Sequence, residues 1–176
     1  VYAPGADLRR VDAALTAGVV TVTEASDRSL TAGCGLDPQT ADIRRPQDVL
    51  SAPGVAGLLD FDRPVAVLAV AILPFVVDDE EAINLVAEYR NKCVSGSYLV
   101  LSHISQLAAT AEQVTAAEEV MSPVRWRSAD RITPMLAGYR VVPPGLVPVT
   151  QWRPDTQVPP DLVSRSNAFG AVAVLP

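Results

Sequence analysis

The chain has 176 residues, a length that allows one domain with a substantial buried core. Hydrophobic residues make up 49% and charged residues 19%, which excludes global disorder. The formal net charge of −6 disfavours a nucleic-acid partner, and Arg125, Arg127 and Arg131 form the one basic cluster that could argue otherwise.

Asp7 to Ala17 has helical character, with Leu8, Val11 and Leu15 on one side and Gly18 to close it. Val19 to Thr23, VVTVT, is β-branched throughout and reads as a strand. Residues 24–40 are turn-rich and polar and read as a loop. Pro46 begins a short helix, and Pro53 restarts it after a break.

Val65 to Leu73 is continuously apolar, as in a central strand covered on both faces. The wider run Pro64 to Val77 lacks charge. It falls short of the roughly 18–20 residues that a bilayer span needs, and Pro74 interrupts it, so no membrane helix is expected. Asp78 or Asp79 caps a helix running to about Cys93, with Ile83, Val86, Ala87 and Arg90 sharing a face. Tyr98 to Ser102 is another apolar strand. Thr110 and Gln113 form a capping box for a helix over Ala111 to Met121. Ser128 caps a further short helix that closes near Gly138. Tyr139 to Val142 reads as a strand, Pro143 to Asn167 as extended loop, and Ala168 to Leu175 as a final strand.

Strands alternating with helices predict an α/β fold with a mostly parallel sheet. The last two strands, with no clear helix between them, predict an antiparallel C-terminal strand at one edge. Two cysteines, Cys34 and Cys93, are too few for a disulfide framework and suit a reducing cytoplasm. With the single His103 they show no metal-ligand spacing, so no metal site is expected.

Several blocks resemble one family. They are Ala41-Asp42-Ile43-Arg44-Arg45-Pro46, Leu58-Leu59-Asp60-Phe61-Asp62-Arg63-Pro64-Val65-Ala66 and Phe75-Val76-Val77-Asp78-Asp79. Gly96-Ser97-Tyr98-Leu99-Val100-Leu101-Ser102-His103, Pro144-Gly145-Leu146-Val147-Pro148 and Trp152-Arg153-Pro154-Asp155 continue the series. In this order, over about residues 41–176, they are similar to the signature of a family of S-adenosylmethionine-dependent methyltransferases found mostly in actinobacteria. The resemblance implies a Rossmann-like class I methyltransferase sheet, with S-adenosylmethionine lying across the carboxyl ends of the parallel strands. It implies methyl transfer to a small-molecule acceptor.

The resemblance also implies site residues. Asp42 matches the acidic residue that faces the adenine amino group, and Ile43 beside it is placed to pack on the ring. The competing reading of Asp42 is a carboxylate that steadies the turn before Pro46. Ala71, Ile72, Leu73 and Phe75 match the exit of the fourth strand, which lines the cofactor; the competing reading is core packing. His103, at the end of the next strand, is placed to reach the same pocket as a lining group or general base. Its competing reading is a satisfied structural histidine.

Three departures bear on these expectations. The family's glycine-rich cofactor loop is absent, and Gly33-Cys34-Gly35 follows the wrong element to replace it. After Val1-Tyr2 no carboxylate falls where the family holds the ribose hydroxyls. Pro74 stands where the family usually has a histidine, and Pro134 interrupts a matching helix. The reading is therefore a single, incomplete methyltransferase-like domain over residues 1–176, cut from something longer. It lacks the first strand, so a sheet edge or surface would be left unsatisfied. The alternative is a degenerate non-catalytic homologue serving as an interaction module, with the exposed surface as a homodimer interface.

Overall fold

The computed structural model describes residues 19–22, 30–34, 37–57, 59–121, 123–164 and 166–176. The expected helix over Asp7 to Ala17 lies outside them. The amino-terminal strands are β1 (Val19–Val22), β2 (Leu30–Cys34) and β3 (Asp37–Ala41). Two short helices follow, α1 (Pro46–Ser51) and α2 (Pro53–Ala56), each opened by its proline. Then come β4 (Ala66–Val70), α3 (Asp79–Arg90), β5 (Tyr98–Ile104), α4 (Ala111–Met121) and α5 (Ala129–Ile132). The chain closes with β6 (Arg140–Val141), β7 (Val147–Pro148), α6 (Pro160–Ser164) and β8 (Ala168–Val174).

The strands form one mixed sheet in the order β3-β2-β1-β4-β5-β8-β6, with β7 also pairing β8. Its centre, β1, β4 and β5, is parallel. The expected antiparallel carboxy-terminal strand is present, but β8 is inserted between β5 and β6 instead of lying at the edge. Two expectations are corrected on the other side. Residues 30–34 and 37–41 are two strands paired antiparallel, not a loop, and β2 is joined antiparallel to β1. The amino-side edge of β4 is not open either, because β1 pairs along it from Val19 opposite Ala66 to Thr21 opposite Leu68. That pairing supplies backbone partners that the open edge would have lacked.

Local chemistry explains the helix starts. Asp78 caps α3, its Oδ1 accepting from the Glu81 N–H at 2.8 Å. The capping box of α4 is complete: the Thr110 N–H donates to Gln113 Oε1 at 3.0 Å and the Gln113 N–H to Thr110 Oγ1 at 3.3 Å. Pro134 cuts the helix short, as its missing donor requires. α5 ends at Ile132 and a 3-10 turn carries Thr133–Leu136.

The main core lies on one face of the sheet. Leu99 and Leu101 of β5, Ala69 of β4 and Phe169, Ala171 and Ala173 of β8 pack against Ala82, Leu85 and Val86 of α3 and Ile132, Met135 and Leu136. The buried face of α3 is thus turned slightly from the expected one. Each large side chain so buried contributes about 2 kcal/mol. A second cluster, Val49, Val55 and Leu59, joins α1 and α2 to Tyr89 at the end of α3. Among the described residues no helix is long and apolar enough to cross a membrane.

Candidate functional site

The sheet brings three strand exits to one edge. β2 runs against both β1 and β3, so β1, β3, β4 and β5 point the same way. Leu68 is level with Thr21, Thr21 with Gly33, and Gly33 with Pro38. Extended three residues along β3 and β4, the same register brings Ala41 level with Ala71, with three strand spacings, about 14 Å, between them. Asp42 and the Ala71–Phe75 segment therefore leave the sheet at the same height. The β4 exit adjoins the point where the strand order reverses, between β1 and β4, which is where open α/β sheets bind ligands, and Asp42 stands on the same side of the sheet at the end of edge strand β3, two strands beyond β1.

Asp42 holds Arg44. Its Oδ1 accepts from the Arg44 backbone N–H and Nε, both at 3.0 Å, and its Oδ2 accepts from Nη2 at 2.8 Å. These bonds keep its carboxyl below the usual range against the opposing effect of partial burial. The carboxylate thus steadies the turn into α1, while the side chain stays 31% exposed. Ile43 is 6% exposed and belongs to the main core. Its side chain faces the helices, not the open edge, and its carbonyl accepts from the Tyr89 hydroxyl at 3.1 Å.

The β4 exit is shorter and more bent than the apolar run predicts. β4 ends at Val70, and Ala71 takes a left-handed φ of 54°. Its N–H donates to Ser102 Oγ at 3.0 Å and to the Ser102 carbonyl at 3.2 Å. A non-glycine residue in this region is strained, and such strain gathers at functional sites. Ile72 and Leu73 are each 1% exposed and turn into the core. A 3-10 turn over Leu73–Phe75 follows, with Pro74 in its first positions. Ala71 and half-buried Phe75 are the exit residues that face outward.

His103 does not reach the open edge. It is 1% exposed, its Nε2 lies 2.9 Å from Arg127 Nη1, and its Nδ1 lies 2.8 Å from the Ile104 carbonyl. A guanidinium only donates, so Nε2 accepts and Nδ1 carries the proton. Burial pushes the imidazole pKa down to about 4, the nearby guanidinium adding to the effect. With both nitrogens engaged, His103 is a structural group and presents no free lone pair to a substrate.

Arg127, which the sequence marks only as one member of a basic cluster, is buried at the centre of a hydrogen-bond network. Nε donates to Asp79 Oδ1 at 2.9 Å, and Nη1 donates to the Leu73 carbonyl at 3.1 Å as well as to His103. Nη2 donates to the carbonyls of Val76 at 2.7 Å and Asp78 at 3.1 Å. All five donors of the buried guanidinium are engaged. Asp79 also receives Arg131 and, at 3.6 Å, Arg125. Partial burial raises the Asp79 pKa, but the Arg127 and Arg131 bonds outweigh it and hold the carboxyl low. The basic cluster is therefore tied to one carboxylate, with its central member inside the protein. No local pattern in Arg125-Trp126-Arg127 separates the buried arginine from its exposed neighbours.

A groove of about 410 Å³ opens at the end of β5, lined by Ser105, Gln106, Leu107, Trp126, Ser128 and Arg131 among others. A separate cavity of about 40 Å³ lies on the helix side of the sheet, among Val49, Leu59, Phe61, Leu85 and Tyr89. Its apolar walls offer almost nothing to orient a reactant. Gly33 and Cys34 lie in β2, within an antiparallel ladder and not at the mouth of a helix.

An open α/β sheet whose strand order reverses between β1 and β4, with parallel strands β1, β4 and β5 at its centre, defines a Rossmann-like, methyltransferase-type fold. The model of the S-adenosyl methyltransferase family matches residues 20–176, and the chain belongs to that family. It is similar to the crystal structure of a DUF574 family protein from Streptomyces avermitilis, with 31% identity and a TM-score of 0.66 over 77% of this chain and 53% of that one. It is also similar to a candidate methyltransferase from Thermobifida fusca, with 27% identity and a TM-score of 0.68 over 77% of this chain and 52% of that one. The chain thus spans about half the length of these two structures. No curated protein matches it significantly.

Proposed function

We propose that this chain is one methyltransferase-like domain that takes part in methyl transfer from S-adenosylmethionine to a small-molecule acceptor. The carrying observation is the common height of Asp42 and Ala71 on one side of the sheet, with Ala71 beside the reversal of the strand order. Asp42 meets the adenine edge, where its carboxylate accepts from the exocyclic amine while keeping part of its hold on Arg44. Ala71 and Phe75 form the neighbouring wall with their outward surfaces. Ile43, Ile72 and Leu73 act from the core and set where that wall stands. These residues fit one side of the cofactor; the described residues supply no glycine loop and no ribose carboxylate for the other.

The sulfonium cofactor supplies an activated methyl group, so the protein's task is proximity and orientation. The groove at the end of β5 lies one strand from the β4 exit, roughly 5 Å in strand spacing. Leu107 and Trp126 give it apolar surface, while Ser105, Gln106 and Ser128 give it polar atoms. This composition suits a compact, partly apolar acceptor bearing oxygen. The net charge of −6 and the binding of three arginines to Asp79 favour such an acceptor over nucleic acid. The cysteine usage favours a cytoplasmic setting.

Titration calorimetry of the chain with S-adenosylmethionine and S-adenosylhomocysteine tests this reading. Micromolar affinity that falls at least tenfold in Asp42→Ala is the expected result. A folded chain that binds neither compound would overturn the proposal that this polypeptide holds the cofactor.

A further inference from the structure

We infer that Arg127 is a positioning residue that sets the geometry of the cofactor wall and locks it to the acceptor groove, an inference that rests on the methyltransferase reading above. The wall is the segment from Ala71 to Asp78. Three of its carbonyls, those of Leu73, Val76 and Asp78, point at one guanidinium. A wall of loop backbone keeps a unique shape only if its polar groups have fixed partners. Here one planar fork satisfies three carbonyls at once, and the short Val76 bond is the strongest sign of the fit. A lysine ammonium is a compact point donor on a flexible stem and cannot reach the same set in one geometry.

Arg127 holds the second half of the site through its own backbone. Its N–H donates to the Ile104 carbonyl at 3.2 Å, and the Arg125 N–H donates to the Pro74 carbonyl at 2.7 Å. The segment Arg125–Arg127 is thus stitched to β5 on one side and to the wall on the other. Trp126, Arg127 and Ser128 in turn line the groove. Asp79 completes the arrangement at the start of α3, taking the Nε proton. His103 takes the remaining donor, and burial together with the nearby guanidinium keeps it neutral. None of these groups touches the cofactor in this reading; Arg127 acts through Ala71 and Phe75.

The test compares Arg127→Lys with the wild-type chain and with Val86→Ala, a core variant on α3. S-adenosylhomocysteine affinity is measured by calorimetry well below each melting temperature. Amide hydrogen exchange is read in parallel at Ala71, Phe75 and Val76 and at the β5 amides. The expected result for Arg127→Lys is at least a tenfold loss of affinity, with exchange protection lost at Phe75 and Val76 but kept in β5. Val86→Ala is expected to melt earlier with affinity unchanged and protection lowered evenly. Wild-type affinity in Arg127→Lys, or even loss of protection like that of Val86→Ala, overturns the inference. Failure of the wild-type chain to bind overturns the cofactor reading alone, and the exchange pattern still decides whether Arg127 shapes the wall. Should Arg127→Lys not fold, Asp79→Asn, which removes the charge partner, is read by the same criteria with a smaller expected loss.

Discussion

Arg127 Nη1 donates to His103 Nε2 across 2.9 Å, with both side chains 1% exposed or less. Burial, with the guanidinium at this contact adding to it, keeps the only histidine in the chain neutral. A protonated imidazole would put a second cation beside the guanidinium, in a place where neither reaches water. The wall of the candidate site therefore depends on a histidine that stays neutral.

This contact predicts a pH dependence. The folded-state pKa of His103, about 4, lies below the unfolded value of about 6.5. Between these values the unfolded chain binds the extra proton, so stability is full above pH 6.5 and falls as pH drops towards 4. The full loss is on the order of 3 kcal/mol. Asp42 and Asp79, whose pKa values are lowered, add their own loss only below about pH 4. Urea unfolding at pH 7.0, 6.0 and 5.0 is expected to show a declining free energy, and His103→Gln a much flatter profile. A flat wild-type profile between pH 7 and 5 would sink the assignment.

Ala71 at φ 54° is predicted to be a strained residue whose replacement by glycine stabilises the protein. Relief of the left-handed strain, about 1–2 kcal/mol, exceeds the extra chain entropy glycine brings to the unfolded state. The net gain for Ala71→Gly is about 0.5–1 kcal/mol, read as a melting temperature higher by about 2 °C. An unchanged or lower melting temperature would show that the turn carries no strain.

Gly138 and Gly145 separate backbone strain from crowding. Both have positive φ, 83° and 101°. A Cβ on Gly138 would meet Arg90 Nη1 at 2.5 Å, whereas one on Gly145 would meet nothing within 4 Å. Arg90 Nη1 also donates to the Ala137 carbonyl, so Gly138→Ala must disturb that bond. We expect Gly145→Ala to cost about 1 kcal/mol and Gly138→Ala about 2–3 kcal/mol. Equal costs in denaturant titration would remove the role given to Arg90.

Ser97 is 1% exposed, and its Oγ accepts from the Val65 N–H at 3.1 Å just before β4 begins. Ser97→Ala orphans that donor and is expected to cost about 1–3 kcal/mol. The Val65 amide should then exchange faster while Tyr98, whose N–H donates to the Val65 carbonyl, stays protected. Unaltered exchange at Val65 would mean another group replaces the hydroxyl.

Local signals in the sequence were enough for the central strands and helix starts. The β-branched run at Val19, the apolar run after Val65 and the Thr110–Gln113 box each encode their element within a few residues, because strand propensity and capping are local effects. The family was also legible, since its blocks lie in order along the chain. The β2–β3 pairing was not, because Gly33, Cys34 and Pro38 carry weak strand preference and pair only when β1 is laid beside them. Nor was the common level of the β3 and β4 ends, which arises from three successive ladders across β2 and β1. Arg127 shows the limit most directly. Its residue type and neighbours describe a solvated cation. Its burial was decided by carbonyls about fifty residues away that only the folded chain gathers around one guanidinium, because a buried charge is tolerated only where every donor finds a partner.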